Sequence, residues 1–387
     1  VTSHMDSLGQ GLRIERANDA MRDARSSDTL VFAQAMLSSN GVVRAQQINP
    51  YIVNLENNGR LSDHGKFRTS EDDLQNLARH YLPNALDDWG LKEDDTVDIA
   101  LYAHGGLVSE DSAAETAAQW IPALYANKIF PVFFMWETGL LQTIGDILSE
   151  ALSSIRSAVG GVRDSILDFI DDRLEGLLAP ASTPIWEEIK ENALQAAVNP
   201  NGGMRLLAKE LDALPPALVR SMRFHLIGHS AGAVFHAHLL PELLQASLTV
   251  QGIYLMAPAC RVDLFQQNVL PAYEAGKVPA YTQFHLRDKV EQDDNCANLY
   301  NRSLLYLVSN ACERKPRTPI LGMEKFTHLI NPANPPSDKV KVWDFILAPT
   351  AADAASTVRC GATSHTAFDN DPDTVRAILE RIKAPAI

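Results

Sequence analysis

Arg223-Phe-His-Leu-Ile-Gly-His-Ser-Ala-Gly232 is an apolar, strand-like run that stops abruptly at Gly228-His229-Ser230-Ala231-Gly232, a G-x-S-x-G pentapeptide. A serine on a sharp strand-to-helix turn is crowded, so the positions two before and two after it must lack side chains. The residues that follow, Ala231 to Leu240, read as a helix with Phe235 and Leu239 on one stripe and Pro241 as its breaker. The helix start then lies under Ser230, where free N–H groups and the helix dipole favour a developing negative charge. The pentapeptide alone is only suggestive; the strand before it and the helix after it are the context it demands.

Outward from this turn, further apolar runs alternate with helical patterns. Pro50–Leu55 reads as a short strand followed by an Asn57-Asn58-Gly59 turn, and Thr69-Ser70-Glu-Asp-Asp73 starts a helix running to about Leu86. Thr96–Ala103 and Lys128–Trp136 are compact strands on either side of a helix over 110–126. Beyond the serine come strands at Thr249–Met256 and Ala280–Arg287, a last strand at Lys339–Leu347 or Ser356–Arg359, and a closing helix from Asp373 to Lys383. Continuous apolar strands alternating with helices predict an α/β chain with a mostly parallel central sheet, flanked by helices on both faces.

About eighty residues separate Trp136 from the strand that leads to Ser230, far more than the dozen or so that a crossover needs. In this stretch Leu140, Leu141, Ile144, Ile147, Leu148, Leu152, Ile155 and Val159 recur at spacings of three and four. The pattern resumes through Ile166, Phe169, Ile170, Leu174 and Leu177 before Pro180 and Pro184 close it. Two more helices, near 185–198 and 203–213, return the chain to the sheet. The expected organisation is a core of residues 8–136 and 218–387 with a helical cap or lid inserted at 137–217. Residues 8–40 read as helical without identifiable chemistry. Residues 1–5 look like an expression-tag remnant.

The formal charge of −14, from 34 basic and 48 acidic residues, argues against a nucleic-acid backbone or an anionic membrane surface as the main partner. No run approaches a membrane span. Without an apolar leader pattern the chain reads as cytoplasmic, although a leader could precede the sequence given. Cys260, Cys296, Cys312 and Cys360 have no zinc spacing and read as buried thiols, with a Cys296–Cys312 bridge open to an exported protein.

A serine hydroxyl needs a base to take its proton, and the base needs an acid to fix its tautomer. Downstream of Ser230 the strand-end acid is Asp288 and the loop histidine is His365; both follow apolar segments that deliver them to the carboxyl ends of the strands. Glu291, Asp293 and Asp294 share the loop with Asp288 as alternatives, and His328 is the alternative base. His229 adjoins the nucleophile with its side chain directed elsewhere, and His236 and His238 read as core residues of the elbow helix. His104-Gly105-Gly106, at the end of an earlier strand, offers close-approaching backbone N–H groups for an oxyanion, with Ala231 N–H as the second donor.

With G-x-S-x-G, an upstream H-G-G loop and the chain order serine, acid, histidine, the sequence resembles the α/β-hydrolase superfamily over roughly residues 50–387. The resemblance implies the α/β-hydrolase fold. It also implies Ser230 as nucleophile, Asp288 as anchor, His365 as base, and an oxyanion hole of Gly105, Gly106 and Ala231. Leu107 follows the H-G-G in place of a third glycine, and the insertion precedes the nucleophile strand, so no subfamily is indicated. The expected activity is hydrolysis of carboxylic esters through an acyl-enzyme, on a small-molecule or lipid-like acyl substrate suited to the apolar cap, with no cofactor. Amides, peptides and thioesters share the same chemistry. An idle triad on a binding protein is the non-enzymatic alternative, and the absence of an H-E-x-x-H pattern disfavours a metalloenzyme.

Overall fold

Long buried runs of β-branched and aromatic residues build one seven-stranded sheet in the computed structural model. The structure describes residues 48–384 apart from 93–94, 106–108, 137–146, 148, 150–166, 297–299 and 334–341. The strands are β1 (Ile52–Leu55), β2 (Val97–Ala103), β3 (Ile129–Trp136), β4 (Met222–His229), β5 (Val250–Met256), β6 (Ala280–Leu286) and β7 (Val342–Ala348). Their order is β1-β3-β2-β4-β5-β6-β7, and every pairing is parallel. All residues of β1, β2 and β3 are buried, the pattern of a parallel sheet covered on both faces. The last strand is therefore the first of the two alternatives; Ser356–Val358 is a 3₁₀ turn.

The order of the strands places the site. From β2 the chain winds outward to β3, and from β4 it winds the opposite way through β5, β6 and β7. At such a reversal the connections diverge and leave a crevice at the carboxyl ends of the two central strands. Here those ends carry His104-Gly105 after β2 and Ser230 after β4. The opposite ends of the same strands are tied by charge: Asp98 accepts from His225 Nε2 at 2.9 Å and pairs with Arg223 at 3.1 Å and Lys383 at 3.2 Å.

The helices used below are α1 (Glu110–Ala126), α2 (Leu167–Val198), α3 (Gly203–Asp212), α4 (Gly232–Gln245), α5 (Asp288–Asp293) and α6 (Pro372–Lys383). Three prolines expected to end helices lie inside them instead. The elbow helix does not stop at Pro241 but runs on to Gln245. Proline removes the N–H that would bond the Ala237 carbonyl, and Asn268 Nδ2 supplies that bond at 3.0 Å. Likewise α2 passes through Pro180 and Pro184 as one 32-residue helix, where the sequence predicts a break. Packing decides this. Leu174, Leu178, Trp186, Ile189, Ala193 and Ala196 are all buried, and Ser182 Oγ donates to the Leu178 and Ala311 carbonyls at 3.0 Å each.

Two further contacts seat α2 on the body. The Asn57–Gly59 turn approaches it so closely that a Cβ on Gly59 would lie 2.1 Å from Ala196 N. Glu313, itself buried, accepts from Trp186 Nε1 at 2.7 Å and Lys190 Nζ at 2.9 Å. The expected helices at 8–40, the first half of the insertion apart from Ile147 and Ser149, and the tag remnant lie outside the described residues. All four cysteines are buried free thiols, with no Cys296–Cys312 bridge. Among the described residues no helix is long and apolar enough to cross a membrane.

Candidate active site

Each glycine of the pentapeptide faces backbone that a side chain would strike. A Cβ on Gly232 would lie 2.0 Å from the Ala103 carbonyl oxygen, and one on Gly228 would lie 2.9 Å from His236 Cδ2 and 3.1 Å from Gly232 C. Between them Ser230 is held at φ 52°, the left-handed region that costs a non-glycine residue on the order of 1 kcal/mol or more. Its backbone is pinned from three sides. Ser230 N donates to Met256 O at 2.9 Å, and Ser230 O accepts from Ala233 N at 3.1 Å and Ala259 N at 2.9 Å.

His365, from the loop between β7 and α6, meets the serine. Its Nε2 lies 3.0 Å from Ser230 Oγ, although 135 residues separate the two. Both side chains are buried. Burial pushes the His365 pKa well below the ordinary histidine value, and the neighbouring His229 pushes it the same way. A neutral imidazole at that distance is the form able to accept the hydroxyl proton.

The acid of the sequence reading goes elsewhere. Asp288, first residue of α5, accepts from Tyr306 Oη at 2.8 Å and Gln292 Nε2 at 2.6 Å, and its N–H donates to Glu324 at 2.6 Å. No hydrogen bond joins it to His365 among the described residues. Asp294, one residue past the end of α5, does reach the histidine: His365 N donates to Asp294 Oδ2 at 3.0 Å. The Nδ1 atom of His365 is buried without a hydrogen-bond partner among the described residues. Glu291 is fully buried, and its acidity is suppressed by desolvation. Asp293 pairs with Lys289 at the surface. His328 is exposed in the 3₁₀ segment Glu324–Ile330, and His236 is a core residue bonded to the Ile227 carbonyl at 2.8 Å.

Gly105 belongs to the site by contact. A Cβ there would lie 3.0 Å from Ser230 Cβ and 3.6 Å from its Oγ. His104 fixes this loop. Its Nε2 accepts from Trp136 N at 3.3 Å, so the ring proton sits on Nδ1 and is donated to the Gly105 carbonyl at 2.6 Å. Burial lowers the His104 pKa to about 4, which keeps that tautomer neutral. Ala231 caps α4 at its N-terminus, where the first N–H groups have no partner within the helix. Gly106 lies outside the described residues.

Two more groups complete the surroundings: His229, whose side chain the sequence directs elsewhere but the fold packs against His365, and Asp369, which the sequence did not single out. His229 Nδ1 stands 3.4 Å from Asp369 Oδ2, and its Nε2 is 2.9 Å from the His365 carbonyl oxygen. Asp369 follows His365 by only four residues, a proximity visible in the chain but without meaning until the loop folds back onto β4. As for metals, Glu56, Asp63 and His64 place ligand atoms within 4.8 Å of one another. That group is on the surface beyond the edge strand β1, and no hydrogen bond or ion pair among the described residues links it to Ser230. In comparisons with family models, with curated proteins and with solved structures, the chain matches none.

Proposed function

We propose that the protein is a serine hydrolase of the α/β-hydrolase kind that cleaves carboxylic esters. The observation that carries this reading is the 3.0 Å approach of His365 Nε2 to Ser230 Oγ at a positive-φ strand-to-helix turn. In the reaction His365 takes the hydroxyl proton on Nε2 while Oγ attacks the ester carbonyl carbon. The resulting oxyanion faces the Ala231 N–H and the Gly105 loop, where backbone donors are worth a few kcal/mol in the transition state. His365 then passes the proton to the departing alkoxide, which leaves an acyl group on Ser230. Water, deprotonated by the same imidazole, then attacks the acyl carbon; the acyl–Oγ bond breaks, the proton returns to Ser230 Oγ and the carboxylic acid leaves.

Within this reading Asp294 replaces Asp288 as the anchoring acid, since it is the carboxylate already bonded to His365. The second reading, a binding protein with an idle triad, draws on the burial of Ser230 itself, which is 3% exposed.

Exposure to a small fluorophosphonate, with intact mass and peptide mapping, decides between them. A single adduct on Ser230, absent from Ser230→Ala and from His365→Ala, supports the hydrolase; an unmodified wild type supports the binding protein. Esters of graded acyl length, compared with matched amides and thioesters, then separate the substrate classes.

A further inference from the structure

Among the described residues, His229 is the ionisable group in contact with the serine–histidine pair that the proposed chemistry leaves unused, and its two nitrogens face incompatible partners unless both carry protons. The His365 carbonyl, 2.9 Å from Nε2, can only accept, so Nε2 must bear hydrogen. With that proton alone in place, Nδ1, which makes no hydrogen bond among the described residues, would present a lone pair 3.4 Å from the Asp369 carboxylate. Two acceptors facing each other in a buried site repel, whereas an imidazolium facing a carboxylate is attractive. The neighbouring His104 shows the contrast: one nitrogen accepts from a main-chain N–H and the other donates, as a neutral ring does.

We infer that His229 is held as an imidazolium by Asp369 and serves as a positioning residue for His365. This rests on the serine-hydrolase reading for its catalytic consequence, but not for the charge pair itself. His365 is clamped at both ends of its own backbone, its N–H by Asp294 at 3.0 Å and its carbonyl by His229 at 2.9 Å. The two rings stand 5.3 Å apart between centroids. A cation at that distance penalises the protonated base. It keeps His365 proton-free at rest and drives the return of the proton to the leaving group. The titratable groups facing His229 are Asp369, His365 and His104. Burial opposes its charge, yet Asp369 and the His365 carbonyl outweigh it, so the balance is upward.

Histidine ¹⁵N NMR on the whole protein reads the charge directly, with the His229 signals identified by their loss in His229→Gln. Two protonated nitrogens are expected at about pH 7.5, above the ordinary histidine value, with one lost in Asp369→Asn. A bare Nδ1 in the wild type at that pH would overturn the inference. The second readout is the pH profile of fluorophosphonate labelling. Glutamine at 229 can still donate to the His365 carbonyl but carries no charge, so in His229→Gln, and equally in Asp369→Asn, the acidic limb should move up by about one pH unit. A uniform loss of rate with an unmoved limb would reduce His229 to a structural residue. Absence of any Ser230 adduct in the wild type would instead sink the hydrolase reading, and the NMR result would still decide the charge pair.

Discussion

The main-chain N–H of His365 donates to Asp294 at 3.0 Å, while Asp288, six residues earlier in the chain, gives its carboxylate to Tyr306 and Gln292. The acid loop therefore divides its carboxylates between two tasks. Asp294 meets His365, and Asp288 ties α5 to Tyr306, whose ring also carries Lys325 Nζ at 4.0 Å.

Asp294→Asn should consequently slow Ser230 labelling by about 10²- to 10⁴-fold, the range over which an anchoring acid acts. The amide oxygen can still accept from His365 N, so the fold should survive. Asp288→Asn should keep the labelling rate within a few-fold. Pseudo-first-order labelling rates of the two variants check the assignment, and the reverse ranking would return the role to Asp288.

Gly105 and Gly232 are both intolerant of a methyl group, for different reasons. In Gly105→Ala the new Cβ meets the serine side chain, which can yield, so labelling should fall about tenfold or more while the melting temperature changes little. In Gly232→Ala it meets the Ala103 carbonyl, which is fixed in the sheet, and destabilisation of about 3 kcal/mol or more is expected. Thermal unfolding beside labelling rates distinguishes the two.

The buried histidines make the fold acid-sensitive. Burial lowers His104, His236 and His285 to about 4. Between that value and the ordinary 6.5 the unfolded chain binds more protons than the folded one, so stability rises with pH across this window and is lost as pH falls through it. His229, shifted upward, acts with the opposite sign: its contribution is present below the ordinary value and fades as pH rises through the folded one. His225, His238 and His365 are depressed by burial as well, so the depressed rings outweigh His229 and the melting temperature should drop progressively from about pH 6.5 to pH 4. A flat profile over that range would contradict the neutral assignment of these rings.

Glu313 is the buried counter-charge that seats α2, with Lys190 at 2.9 Å and Arg261 at 3.6 Å. Removing one member of such a group strands its partners, at a cost of about 2–4 kcal/mol. Glu313→Ala should show that loss in urea denaturation, together with faster amide exchange around Trp186 and Lys190. Unchanged exchange there would mean that apolar packing alone holds the helix.

The strand-to-helix turn at Ser230, all strands but the last and the alternation that makes a parallel α/β sheet could be read from the chain, because these are short-range matters. Gly228 and Gly232 are required wherever a serine stands on so tight a turn, and continuous apolar runs can be buried on both faces only in such a sheet. The sequence also singled out His365, which lies in a polar loop behind the last strand. Tertiary structure alone decided the rest. Four acids lie between positions 288 and 294, and no spacing rule tells which of them the folded loop turns toward a histidine some seventy residues on. The prolines at 180, 184 and 241 read as breakers by local propensity, yet packing against distant residues and the Asn268 amide offset what they remove. The charge of His229 is likewise absent from its neighbours in the chain. It exists because folding places one nitrogen against a carbonyl and the other against a carboxylate, in a site where water cannot substitute for either.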